Sequence, residues 1–470
     1  MPPSDQLREV RDKPIQALFA AYDRSTDDAQ KRTVLSALGA ATRTPHQAHY
    51  SNELLAITLK DATRIVDFVA ERAQATSHEL LQHIEHRFFY DYLRAKGLAE
   101  DPEHRLGCQA EAEALMFAIL KFRDAINADD RSARYKVLVG FESVYPSHWT
   151  DEEFDHKADE YRREEVNRYI DEINAGSESD WFNLIARCAE TKSDDLATFP
   201  VFGSFINKLA ERKPEAAERL LAKASDDLRN FIPGFLNGLA LSGRADIYER
   251  ILETELGSAK NLTGIVRHFR YSDVKNPDFA ARLLTRAIDA GDQIATIECL
   301  LLALEHYGTE KISDDDTFVR DALTFLNDRK DPRWVSQAWF LHKATKFYEE
   351  LTPKRTAQVL QNLGYIRQVN HQVERVLVRL AERQPEAVWD YFETRLARKP
   401  EDGDKERFEA VPSEFHGLEQ VLSKDPQLAI SKRLSWFAQD RERFRSRGGR
   451  LLSRAFPNCT PEFAAGSPSW

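Results

Sequence analysis

The chain has 470 residues, 42% of them hydrophobic and 30% charged, with a formal net charge of -11. An acidic balance of this size argues against a protein that coats nucleic acid with its whole surface, and leaves only a local basic patch for such contact. With 19 glycines and 19 prolines the chain is poor in turn residues for a β-sandwich and suits helices, and 27 phenylalanines with 7 tryptophans can fill a core.

The first residues, MPPSDQLREVRDKP, are polar and acidic enough to read as something other than a secretory leader. No stretch approaches the roughly 18 consecutive apolar residues of a membrane span. Leu55, Leu59, Ala62, Val66 and Val69 form one helical stripe, and Ala112, Leu115, Ile119 and Phe122 form another. Between them, HELLQHIEH places Glu79, His83 and His86 at i, i+4 and i+7, one face of a helix where a metal could find three ligands. His78 and His83 are five apart, so this is not HExxH, and a solvated or interhelical histidine cluster is the plainer reading. Cys108, Cys188, Cys299 and Cys459 are widely separated and form no CxxC pair. They read as small buried hydrophobes in a reducing compartment, so we expect a cytoplasmic chain without a cofactor.

A charged helix is expected between Asp151 and Ala175, with Phe154, Ala158, Tyr161, Tyr169 and Ile173 on a narrow face and Gly176 as its C-cap. NAGSESD, Asn174–Asp180, then reads as a linker. We therefore place a boundary between an N-terminal helical domain, 1–175, and a second region, 176–470.

The second region repeats one punctuation: a polar or basic residue or two, a proline, then a helical run. It occurs at Pro214, Pro277, Pro332, Pro385 and Pro426, spaced 63, 55, 53 and 41 residues apart. Two copies nearly coincide, LAERKPEA at Leu209–Ala216 and LAERQPEA at Leu380–Ala387. Proline suits the first helical position, where the missing N–H has no partner. Thr352-Pro353 fits a further start. Before the fourth joint Val373, Val376, Leu377 and Leu380 make a stripe, and after it Val388, Tyr391, Phe392 and Leu396 make another. Neither helix hides its stripe alone, whereas antiparallel pairs stacked on one another do. Trp334, Trp339, Phe340, Phe347, Tyr348 and Trp389 read mostly as core.

SDDDTF, Ser313–Phe318, offers three adjacent carboxylates, but helix capping needs only one of them. Arg398–Pro412 is the longest irregular stretch, and the closing GSPSW reads as a frayed end. Lys432–Arg454 carries eight basic residues against Asp440 and Glu442, with Trp436, Phe437 and Phe444 interleaved. Arg433, Trp436, Arg441, Arg443, Arg445, Arg447, Arg450 and Arg454 are the candidate partner- or nucleic-acid-binding residues, since arginine with aromatics suits phosphate contact and base stacking. A solvated terminal helix is the plainer alternative. Gly448-Gly449 is a possible helix break, and no GxxxxGK[ST] loop follows. No nucleophile elbow, dinucleotide loop or kinase motif set is present, so no catalytic residue is named.

The LAER(K/Q)PEA joints, with the looser KNPDFA, KDPRWV and KDPQLA, resemble helical-hairpin repeats of the HEAT/TPR kind over about Asp180–Ala455. The spaced Trp-Leu-Gly-Tyr-Ala-Phe-Pro consensus of TPR is missing. The region is also similar to the helical sensor arrays of bacterial STAND-type defence proteins, which recognise foreign proteins beside an NTPase module that this chain lacks. The resemblance implies an all-α fold, an α-solenoid of antiparallel hairpins, and a non-enzymatic scaffold or sensor for a protein partner. A nucleic-acid-binding repeat protein is the alternative. A metal-dependent enzyme on a helical scaffold, using Glu79, His83 and His86, is a second alternative.

Overall fold

Lys213 and Gln384, the residues before proline in the two near-identical stretches, adopt the same backbone: φ −137° with ψ 62° and 64°. Each donates its N–H to a leucine carbonyl four residues back, Leu209 or Leu380, at 2.8 Å. Proline bars the helical region to the residue before it, so one helix stops there and the next begins. The side chains then reach back alike. Lys213 Nζ donates to the carbonyl of Asp171 at 3.2 Å and to that of Ile173, and Gln384 Nε2 to the carbonyl of Leu351 at 3.0 Å. Two eight-residue stretches identical at seven positions thus encode one three-dimensional joint, used twice.

The computed structural model describes residues 4–42, 51–139, 149, 154–191, 199–307, 315–338, 344–398 and 408–457, and among them every regular element is a helix. No described helix is long and apolar enough to cross a membrane. The chain divides into two compact units, Met1–Gly234 and Phe235–Trp470.

The first unit holds α1 (Ser4–Arg24), α2 (Asp28–Thr42), α3 (Asn52–Ala70), α4 (His78–Glu100), α5 (Pro102–Asn127), α6 (Asp130–Val139), α7 (Phe154–Glu172), α8 (Glu178–Ala189), α9 (Pro200–Arg212), α10 (Pro214–Ala222) and α11 (Asp226–Arg229). Its core is the packing of α3 and α4 on α5. There the two expected stripes, Leu55 to Val69 and Ala112 to Phe122, close over Leu80, Ile84 and Phe88. Ser51 and Ser77 cap α3 and α4 by accepting from Leu54 N and Leu80 N. The bend between α7 and α8 corrects one expectation. Asn174 and Ser177, not Gly176, stop α7: Ser177 Oγ donates to the carbonyl of Glu172 at 2.7 Å, and Asn174 Oδ1 accepts from Gly176 N at 2.9 Å. The short polar side chains satisfy the free helix-end groups without a left-handed residue.

α12 (Ile232–Leu241) spans the division. The second unit continues with α13 (Ala245–Ser258), α14 (Leu262–Tyr271), α15 (Pro277–Asp289), α16 (Gln293–His306), α17 (Asp315–Asp328), α18 (Val335–Ala338), α19 (Ala344–Glu350), α20 (Pro353–Leu363), α21 (His371–Arg383), α22 (Pro385–Ala397), α23 (Leu418–Leu422), α24 (Pro426–Gln439) and α25 (Arg441–Ala455). Its helices pack in two rows. One runs α14, α16, α19, α21, α23, and the other α15, α17, α20, α22, then α24 and α25. Rungs such as α15 on α16, α16 on α17 and α21 on α22 join the rows. The stripes Val373–Leu380 and Val388–Leu396 are buried at these contacts.

Pro277, Pro353, Pro385 and Pro426 open helices as expected, but Pro332 does not. After it the chain makes a turn, and only the four-residue α18 follows. Asp331 directs this turn: its carboxylate accepts from Arg333 N at 3.2 Å and pairs with the Arg333 guanidinium at 2.6 Å. Trp334 is then drawn inward, where its indole donates to Asn362 Oδ1 at 2.7 Å. Trp334, Phe347, Tyr348 and Trp389 are buried, as are Cys108, Cys188 and Cys299. Trp339, Phe340, Cys459, Ser313, Asp314 and GSPSW lie outside the described residues, as does 399–407 within the long irregular stretch.

Candidate interaction surface

α24 and α25 meet at Asp440, whose carboxylate accepts from Arg443 N at 3.0 Å and starts α25. Gly448-Gly449 does not break the helix, which runs unbroken to Ala455. Phe444, Gly448, Leu451, Leu452 and Ala455 form its buried face and hold it against its neighbours. Tertiary packing of that face offsets the cost of about 1 kcal/mol for each glycine in a helix interior.

A flank of the helix beside that face is basic. Arg443, Arg447, Arg450 and Arg454 fall at i, i+4, i+7 and i+11, one ridge about 16 Å long at the 1.5 Å rise of an α-helix. Arg447, Arg450 and Arg454 are exposed and Arg443 is half-buried, while Arg441 and Arg445 are exposed on the other flank. Two ridge members touch the protein weakly. Arg443 lies 3.7 Å from Asp440, and Arg447 Nη1 donates to the carbonyl of Leu396, near the end of α22, at 3.4 Å. Arg441, Arg445, Arg450 and Arg454 make no ion pair among the described residues. In a chain of net charge -11, such unpaired arginines are a local exception.

Two of the three interleaved aromatics, Trp436 and Phe444, do not share that surface. Trp436 is fully buried, 6.1 Å from the Trp389 ring and 5.8 Å from Phe444, which is buried too. Arg433 is likewise buried with its guanidinium 4.8 Å over Phe437, and burial holds its pKa below the usual arginine range. Both residues occur on the α24 side that carries Ala429 and Ile430 into the core, so Trp436 and Arg433 leave the set of surface contacts. Lys432, one residue earlier, pairs with Glu386 at 2.9 Å and Asp390 at 2.5 Å on α22.

The histidine face of α4 is dispersed. Glu79 pairs with Arg187 across 3.7 Å, His83 lines a small crevice with Arg87, and His86 packs edge-on to Tyr90. Burial lowers the His83 pKa, and the nearby positive charges of Arg32 and Arg87 lower it further. Among the described residues no three His, Cys, Asp or Glu side chains stand close enough to hold a metal ion. Of SDDDTF, Asp315 and Asp316 occupy the first turn of α17, where Asp316 accepts from Arg355 at 2.7 Å.

One feature of the second unit escaped the sequence reading. A groove of about 780 Å³ lies between α20 and α22. Ala357 and Gly364 line it from one side, Ala387 and Ala397 from the other, with Tyr391 and Lys330 also on its wall. Small residues on and beside two helices of the same row leave the cleft unfilled. They stand out in the sequence only once the two helices are known to be neighbours.

Comparison with known proteins gives no matching family model, no matching curated protein and no matching solved structure.

Proposed function

We propose that the chain is a non-catalytic scaffold that binds a protein partner, built as an α-solenoid of HEAT/TPR-like hairpins. The observation that carries this reading is the α25 ridge: Arg447, Arg450 and Arg454 exposed in line, with Trp436 and Phe444 of the same region turned inward. Supporting the repeat architecture are the twin joints at Lys213 and Gln384 and the two rows of helices in Phe235–Trp470. A basic ridge on an acidic protein favours an acidic face of a partner, because Arg450 and Arg454 make no ion pair among the described residues and Arg443 and Arg447 are engaged only weakly. A cytoplasmic sensor or complex subunit fits such a surface.

The second reading is nucleic-acid binding through the same ridge. Arginines suit phosphates, but with Trp436 and Phe444 buried and Phe437 half-buried against Arg433 the site offers little for base stacking, so backbone contact would dominate.

One experiment separates the two. The immobilised full chain and its variant carrying R443E, R447E, R450E and R454E are exposed to a lysate of the native host, with and without nuclease. Proteins retained by the wild type after nuclease, released by raised salt and absent from the variant support the scaffold. Retention of DNA or RNA alone, with a steep salt dependence, moves the assignment to the second reading.

A further inference from the structure

Tyr391 lies on α22 with 4% of its surface exposed and lines the groove between α20 and α22. Its hydroxyl makes no hydrogen bond of ordinary geometry. The nearest cation, Arg395, has its guanidinium 5.6 Å from the Tyr391 ring, and its donors go to backbone carbonyls: Ile366 at 2.6 Å, Arg367 and Ala410 at 3.3 Å, and Glu409. Arg395 also makes a marginal contact with this hydroxyl, and a buried hydroxyl left with no better partner carries a desolvation cost that a bound acceptor or donor would reduce.

Lys330 gives an independent sign from the same groove. It follows α17 with φ +54°, the left-handed conformation that suits glycine. The turn is a helix-terminating one, with Lys330 N donating to Asn327 O at 3.0 Å and Asp331 N to Leu326 O at 2.9 Å. Backbone physics alone would place glycine there. The lysine brings a side chain to the groove wall, where it is exposed and makes no ion pair or side-chain hydrogen bond among the described residues. The carboxylates on the wall are engaged elsewhere: Asp390 by Lys432, and Glu393 by Gln439 Nε2 at 2.9 Å. Gln439 leaves the Glu393 charge in place, and Lys330, Arg395 and Arg398 on the same lining outnumber Asp390 and Glu393. Leu360, Tyr391 and Arg395 are the buried lining of the groove, and the small residues Ala357, Gly364, Ala387 and Ala397 lie nearer the surface and leave room beside them.

We infer that the α20–α22 groove is a docking site for a short peptide segment of a protein partner, one apolar side chain seated between the helices and an adjacent carboxylate on Lys330. The Tyr391 hydroxyl bonds the peptide backbone. A volume of about 780 Å³ lies within the range of roughly 300–1,000 Å³ typical of specific ligand sites. The inference rests on the scaffold reading and names a second contact for the same class of partner, separate from the arginine ridge.

The test is selection from a random 12-residue peptide library displayed on phage, using the full chain as bait. Recovered sequences are then synthesised with a fluorophore and their affinities measured by anisotropy. The expected winners carry a Leu, Ile, Phe or Met beside an Asp or Glu. Ala387→Trp, which fills the groove, abolishes their binding while the helical circular dichroism is unchanged. Tyr391→Phe weakens them roughly fivefold, the worth of one hydrogen bond. Lys330→Gly weakens them roughly two- to fivefold, the worth of an exposed charge pair, while the melting temperature holds or rises because glycine relieves the backbone. A lysine with a purely structural role gives the opposite thermal result. No recovered peptide, winners without a carboxylate, or winners indifferent to Ala387→Trp overturn the inference. Winners lost only in the four-arginine variant also overturn it, yet leave the scaffold reading standing. Monomerisation of a self-associated chain by Ala387→Trp overturns it as well, by assigning the groove to a second copy.

Discussion

Arg270 donates through Nη1 to Glu298 Oε2 at 2.7 Å, with only 2% and 3% of the two side chains exposed. The pair links α14 to α16, one step of the first helix row. Arg267 adds a bond to the other Glu298 oxygen at 2.8 Å, and Glu305 accepts from Arg270 Nε at 3.1 Å. Glu298→Leu would leave the buried guanidinium with only the longer bond to Glu305 and remove the Arg267 partner as well. We expect a loss of about 3–5 kcal/mol in the unfolding free energy, read from the urea midpoint. Adding Arg270→Met should recover much of it, since removing both charges avoids the unpaired one. A double variant as unstable as the single would show that the two charges do not act as a pair.

His268 makes the same unit sensitive to mild acid. The ring is fully buried, with Nδ1 2.5 Å from Asn237 Oδ1 and Nε2 2.8 Å from the Tyr248 hydroxyl. The neutral ring satisfies both neighbours by donating from Nδ1–H and accepting at Nε2. Burial pushes its pKa down to about 4. An unfolded histidine titrates near 6.5, so between the two values the unfolded chain holds the extra proton. Stability contributed by this group is thus complete above pH ~6.5 and is lost as pH falls toward 4. We expect a decline on the order of 2–3 kcal/mol over that window from His268 alone. His268→Gln should flatten the pH profile of the urea midpoint in this window. An unchanged slope would assign the acid sensitivity to other groups.

In the first unit Lys136 Nζ donates to both oxygens of Glu85, at 2.9 and 3.0 Å, and to Asn127 Oδ1. Both side chains are buried, and burial lowers the Lys136 pKa against the raising effect of Glu85. Lys136→Met leaves a carboxylate in the core. Thermal unfolding should reveal a loss of about 3–5 kcal/mol, and Glu85→Leu in the same chain should reverse part of it.

The shared joint predicts matched costs at distant sites. Gln384→Ala and Lys213→Ala each remove side-chain bonds to carbonyls of an earlier segment, and about 1 kcal/mol is expected from each. Pro385→Ala should cost roughly 0.4–1 kcal/mol, mainly by freeing the unfolded chain. Chemical denaturation of the single variants tests whether the two joints are energetically alike as well as geometrically alike.

The helices and their buried faces were readable because burial follows a local period. Every member of the stripes beginning at Leu55, Ala112, Val373 and Val388 is buried. What was not readable depends on partners far along the chain. Trp436 looked available for stacking beside its arginines, but Trp389 and Phe444 enclose it. Pro332 carried the same local signal as Pro385, yet Asp331, Arg333 and Asn362 make a different turn from it. Gly448-Gly449 looked like a break, and the packing of Leu451, Leu452 and Ala455 carries the helix through. The ridge of arginines was visible as composition, and its alignment follows once the helix is continuous. The groove needed α20 and α22 as neighbours, which no window of sequence displays.

The two-row packing of Phe235–Trp470 has a kinetic corollary. A helix there is completed by partners only a few helices away along the chain, so the entropy spent on closing each loop is small. Such a chain is expected to order quickly and from more than one starting point, growing outward as each finished hairpin templates its neighbour. During synthesis the Pro277 and Pro353 hairpins could be in place before Pro426 has left the ribosome.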